Sequence, residues 1–172
     1  MAYWALDTWR SNDNNNARER NYWEELYTKQ MIAIGWGRID ISQNPNKDEI
    51  QKSLKNEYSY YLEKNPAYAA SIILNFINLT EDDNILICHG YSWNSDEKVR
   101  LYGTAKVTGG YHKGYLDKWL CFLHCAKIDK VKKEYIPKIL LVEMLDGKES
   151  FRGTLRKMND EQYNKILAWA RP

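Results

Sequence analysis

Residues 31–41 read MIAIGWGRIDI: a dense β-favouring run from Met31 to Gly35, then Trp36 set between two glycines. Gly35 and Gly37 let the backbone turn tightly and clear space beside the ring, so the strand breaks here with an exposure-prone indole. Upstream, Tyr22, Trp23, Leu26 and Tyr27 fall at helical spacing within Arg20–Lys29. The polar, Asn-rich Ser11–Asn16 reads as a loop, and the aromatic segment Tyr3–Trp9 as an opening strand.

Downstream, Asp48–Lys64 and Pro66–Leu79 read as two helices separated by the stop and start signals Asn65 and Pro66. The second helix buries Ile72, Ile73, Phe76, Ile77 and Leu79. From Asn84 the pattern changes to strands over Ile85–Tyr91, Lys98–Thr108, Trp119–Ile128 and Ile136–Met144. Asn159 and Asp160 cap a last helix whose apolar stripe is Tyr163, Ile166, Leu167 and Ala170. The expected class is α+β, a curved and mostly antiparallel sheet flanked by helices.

A length of 172 residues, with no repeat and no linker, is read as one domain over 1–172. Lys and Arg total 25 against 23 Asp and Glu, so the net charge of +2 argues for no blanket affinity for polyanions, and any such site is a local patch. One basic run stands out, with Lys127, Lys130, Lys132, Lys133 and Lys138 against Asp129 and Glu134; ordinary solvation accounts for most runs of this kind. No window approaches the roughly 20 apolar residues that span a bilayer, and the first ten residues do not read as a secretory signal. Three cysteines, Cys88, Cys121 and Cys125, cannot all pair within one chain, so a reducing cytoplasm is expected.

Catalytic patterns are missing. Cys121, His124 and Cys125 have metal-ligand residue types, but on a strand the two cysteines point to one face and the histidine to the other. Cys88 and His89 diverge in the same way, which separates a thiol from its base. No phosphate loop, nucleophile elbow or zinc-protease helix occurs. The expectation is a binding protein with no catalytic residue, no metal and no cofactor.

The unusual feature is aromatic: seven Trp and 13 Tyr against three Phe. These side chains join a flat apolar surface to a polar atom, which suits cores and also sites that grip planar or cationic ligands. Trp36, Trp93 in the Ser92–Asn94 turn, Tyr111 in the glycine-rich Gly109–Tyr115, and Trp119 after Asp117 and Lys118 sit where a loop has little core to cover them. Trp4, Trp23 and Trp169 read rather as core.

The residues resemble the PUA-like fold in its EVE and YTH-like branch, whose domains read modified nucleobases. Tyr3-Trp4 is similar to the aromatic start of that fold's first strand, Ile32–Ile41 to its I-G-W segment followed by an Asp, and Gly103-Thr104-Ala105-Lys106-Val107 to its G-x-A-x-V strand. Gly109-Gly110-Tyr111 resembles the G-x-Y that follows in EVE-like modules of modification-dependent restriction systems, and Phe151–Trp169, with Arg152, Thr154 and Leu155 ahead of a helix, resembles their tail. The resemblance implies a PUA-like sheet or barrel and a modified base held between aromatic rings, with polar groups reading its edge. It makes Trp36 the first cage residue and Trp119 the second wall. Asp40 accepts from an exocyclic amine or serves as a turn residue, while Arg38, Lys106, Lys113 and Lys118 contact phosphate.

No nuclease or motor sequence accompanies these motifs, so a reader of this kind acts alone or recruits a separate effector protein. Two rival readings remain: a small-molecule or nucleotide binder using the same pocket, and a protein-interaction accessory of a phage or defence system that uses exposed aromatics as hot spots. Salt separates the first two, because phosphate contacts weaken steeply with ionic strength and a neutral pocket does not.

Overall fold

The computed structural model describes residues 1–7, 26, 28–41, 45–89, 100–116, 121–136 and 155–170. Seven strands and three α-helices lie within them. The strands are β1 (Tyr3–Asp7), β2 (Met31–Ile34), β3 (Asn84–His89), β4 (Arg100–Leu116), β5 (Cys121–Ile128), β6 (Lys132–Ile136) and β7 (Leu155–Met158). The helices are α1 (Lys47–Glu57), α2 (Ala67–Ile77) and α3 (Asp160–Ala170).

The sheet runs β2-β5-β4-β3-β1-β7, with β6 also paired to β4. Only the β1–β3 pair is parallel among the described strands, so the expected mostly antiparallel character holds. Its two end strands, β2 and β7, do not pair with each other, and the sheet is open rather than a closed barrel among the described residues.

β4 organises the molecule. Its residues alternate, with Ala105 and Val107 buried and Lys106 and Thr108 exposed. A Cβ on Gly103 would collide with the Lys132 carbonyl oxygen and sit 2.8 Å from Val131, so glycine lets β6 lie close to β4. Ala105 and Val107 join Trp4, Leu6, Ile85, Ile87 and Leu155 on one sheet face, packed against Ile50 and Leu54 of α1 and Ile73 and Phe76 of α2. On the opposite face α3 stacks Tyr163 on Tyr3, with ring centroids 4.3 Å apart. The sheet is thus covered on both sides, which buries Leu86 and Ile87 alike.

Gly109–Tyr115, expected as a loop, is strand. Bulges between Val107 and Gly109 and between Gly109 and Tyr111 carry the ladder through the glycines, so β4 reaches 17 residues. Gly114 makes room for Cys125, whose Sγ would lie 2.5 Å from a Cβ there.

The helix expected over Asp48–Lys64 is also shorter. Asn46 and Glu49 form a capping box at its start, but Tyr58 is extended (φ −129°, ψ 106°) and a 3₁₀ turn, Ser59–Tyr61, follows. Asn65 accepts a hydrogen bond from the Ala67 amide at 2.9 Å and Pro66 opens α2, as their sequence suggests. Asn159 and Gln162 cap α3 reciprocally, at 2.8 and 3.2 Å.

β6 and β7 were not foreseen. The strand expected over Ile136–Met144 lies outside the described residues beyond Ile136, as do the Ser11–Asn16 loop and most of the Arg20–Lys29 helix, of which Leu26 is helical and buried. No helix among the described residues is long and apolar enough to cross a membrane.

Candidate functional site

Trp36 lies two residues past the end of β2, with φ 63°. A bulky side chain in this left-handed region costs about 1–3 kcal/mol and persists only where its surroundings hold it. Four hydrogen bonds do so here. The Trp36 carbonyl accepts from Ile39 N at 3.2 Å and lies 3.0 Å from His124 Nε2. The indole Nε1 donates to the Tyr61 hydroxyl at 3.1 Å, and the Arg38 amide donates to the Tyr58 hydroxyl at 3.2 Å. The early end of α1 therefore has a use, since the turn after Tyr58 brings two phenols to the tryptophan loop.

His124 sits in the middle of β5, between Ile34 of β2 and Lys113 of β4. It is fully buried, and its pKa falls to about 4, first because burial disfavours the imidazolium; the Trp36 carbonyl pulls the other way and Lys113 adds a smaller lowering. At neutral pH the ring carries one proton. Because a carbonyl only accepts, that proton is on Nε2, which leaves Nδ1 to accept from the Tyr111 hydroxyl 3.1 Å away. Tyr111 is half-buried and holds its proton more tightly than a free phenol, owing to burial, then to the nearby Asp40 carboxylate, then to Cys125.

Trp36, Tyr111 and Lys113 thus gather around His124, with Asp40 near Tyr111, although they come from a loop and a strand about 70 residues apart in the sequence. Trp36 and Tyr111 are half-buried against the core, while Asp40, Arg38 and Lys113 are exposed. A cleft of about 320 Å³ opens beside Asp40, walled by Ile39, Ile41, Pro45 and the α1 residues Glu49, Ile50 and Lys52; Trp36 and Tyr111 do not line it. Lys106 does not join this group. It lies further back on β4, facing α3, where its amide donates to Asp129 Oδ1 at 2.7 Å. Trp93, Trp119 and Lys118 lie outside the described residues.

Three members were missed in the sequence. Tyr58 and Tyr61 looked like ordinary residues of a longer helix, and His124 like a histidine in a buried strand. A polar ring inside the run Leu123-His124-Cys125-Ala126, buried throughout, was the available signal, since a buried imidazole needs partners for its nitrogens. Among the described residues no group of three His, Cys, Asp or Glu is placed to hold a metal ion. The arrangement offers a flat aromatic surface, a neutral phenol, an accepting carboxylate and two exposed cations.

The chain belongs to the family described as Domain of unknown function (DUF8426), whose model matches residues 9–156. No curated protein matches it by sequence. Among solved structures it is similar to the human THYN1 protein in complex with 5-methylcytosine containing DNA, with a TM-score of 0.56 and 8% identity over 100% of this chain and 99% of that one. It is also similar to the DUF55 domain of human thymocyte nuclear protein 1, with a TM-score of 0.52 and 8% identity over 99% of each chain. The fold is therefore PUA-like, of the EVE type, in agreement with the expectation drawn from the Ile32–Ile41 and Gly103–Val107 motifs.

Proposed function

We propose that this chain is a binding module for nucleic acid that holds a modified nucleobase at the Trp36 loop. The observation that carries the reading is the left-handed Trp36 itself, a strained tryptophan locked by His124, Tyr58 and Tyr61. Such strain clusters at ligand clamps, where a rigid ring costs little ordering when a planar ligand stacks on it. The fold likeness to a human protein bound to 5-methylcytosine DNA supports the same class of ligand.

In this reading the base stacks on Trp36, Asp40 accepts from its exocyclic amine, and Arg38 and Lys113 meet flanking phosphates. Tyr111 stays protonated and holds His124 in place. Both imidazole nitrogens are engaged and the ring is neutral, which favours binding over acid–base catalysis. A module of this kind passes its signal to a separate effector protein. Buried thiols at Cys88 and Cys125 fit work in a reducing compartment.

Intrinsic tryptophan fluorescence tests the proposal. The protein is titrated with single- and double-stranded oligonucleotides carrying cytosine, 5-methylcytosine, 5-hydroxymethylcytosine, adenine or N6-methyladenine. Selective quenching by one modified strand is expected; equal response to every strand, or none, refutes base recognition.

A further inference from the structure

The register of four strands assembles a second polar cleft, remote from Trp36. Thr104 of β4 is paired with Lys132 of β6, Lys106 with Asn84 of β3, and Asn84 in turn with Tyr3 of β1. Paired residues, and residues two apart on one strand, share a sheet face. All five therefore point to the side covered by α3, opposite the main core. Together with Asp129, Tyr163 and Leu167 they line a cleft of about 290 Å³.

Two features of this cleft lack an explanation in the fold. Thr104 is only 7% exposed, yet among the described residues nothing hydrogen-bonds its hydroxyl. Buried hydroxyls are normally paired, and an unpaired one in a native protein calls for a partner. The Lys106 and Lys132 ammonium groups, both exposed at the cleft, are likewise not paired with a carboxylate among the described residues. Asp129 Oδ1 is taken by the Lys106 amide, which donates to it at 2.7 Å. The opposite wall is made by Leu167 and the ring of Tyr3, which the buried Tyr163 backs.

We propose that this cleft is a second binding site, which takes a phosphate ester of nucleotide size. Its phosphate lies between Lys106 and Lys132 and accepts from the Thr104 hydroxyl, and its nucleoside rests on Tyr3 and Leu167 beside the Asn84 amide. The volume is at the lower end for small-ligand sites and suits one nucleotide. Free nucleotides and a nucleotide within a strand share this chemistry. The site is independent of the reading of Trp36.

The test follows the backbone amide resonances of the labelled full chain during titration with nucleoside 5′-monophosphates, the matching nucleosides, inorganic phosphate and a short single strand. A 5′-monophosphate or the strand is expected to shift Asn84, Thr104 and Lys106, and to do so equally in Trp36→Ala. Binding by the monophosphate alone identifies free nucleotide as the source, and tighter binding by the strand identifies a polymer. The nucleoside lacks the phosphate and binds at least tenfold more weakly, as does either ligand to the double variant Lys106→Gln/Lys132→Gln. Thr104→Val keeps the shape but removes the hydroxyl, so it weakens binding about tenfold at an unchanged or raised melting temperature. Shifts confined to the Trp36 loop, or affinity indifferent to the lysine and threonine variants, overturn the proposal.

Discussion

The carbonyl oxygen of Trp36 lies 3.0 Å from Nε2 of His124, across 88 residues of sequence. That contact ties the end of β2 to the middle of β5, and through Nδ1 it continues to the hydroxyl of Tyr111. A loop that would otherwise relax out of its left-handed geometry is thereby fastened to the sheet. The first consequence concerns pH.

His124 binds its proton with a pKa near 6.5 when unfolded and about 4 when folded, so between these values the unfolded chain holds more protons. Its contribution is fully present above pH 6.5 and is lost as pH falls toward 4, up to ~3 kcal/mol in all. Urea unfolding at a series of pH values is expected to show stability dropping over this window. His124→Gln loses stability at pH 7, by about 1–3 kcal/mol, and its curve is flatter between pH 6.5 and 4.

Trp36→Gly is expected to be more stable than Trp36→Ala. Both variants remove the indole and its bond to Tyr61, but only alanine keeps a Cβ at φ 63°. The difference should be about 1 kcal/mol in favour of glycine, read by thermal or urea unfolding. Equal stability would mean that the loop leaves the left-handed region once the ring is gone.

Gly103→Ala pushes β6 off β4, because the new methyl meets the Lys132 carbonyl and the Val131 side chain. A loss of about 1–3 kcal/mol is expected. The same displacement moves Lys132, so nucleotide binding at the β4–β6 cleft weakens while response at the Trp36 loop is retained.

Arg38 and Lys113 are expected to act through charge. If each meets one phosphate, Arg38→Gln and Lys113→Gln each weaken strand binding similarly for modified and unmodified sequences, and lower the slope of log affinity against log salt by about one. A change in base preference in either variant would place that side chain on the base instead.

Much of this architecture was legible because burial imposes a period. Ala105 and Val107 alternate with Lys106 as a half-buried strand must, and Ile50 and Leu54 recur at helical spacing under a capping box. Glycine misled where it served the sheet: Gly109 and Gly114 read as turn residues, whereas one sits at bulges and the other makes way for Cys125. β6 was hidden by its sequence, since Lys132-Lys133-Glu134-Tyr135-Ile136 carries no apolar alternation. Trp36, Asp40, Tyr111 and Lys113 were marked by composition and resemblance, but their common centre was not, because the partners of His124 arrive through strand pairing. Lys106 carries the motif and yet faces the other side, a separation that only the pleat of β4 reveals.

In the proposed function the Trp36 ring discriminates a modified base. Its most direct test is the ratio of affinities for one modified strand and its unmodified counterpart, measured for the protein and for Trp36→Ala under conditions where circular dichroism shows both folded. The expected ratio is tenfold or more and falls to about one in the variant, with residual affinity still sensitive to salt. A ratio unchanged by the substitution contradicts it.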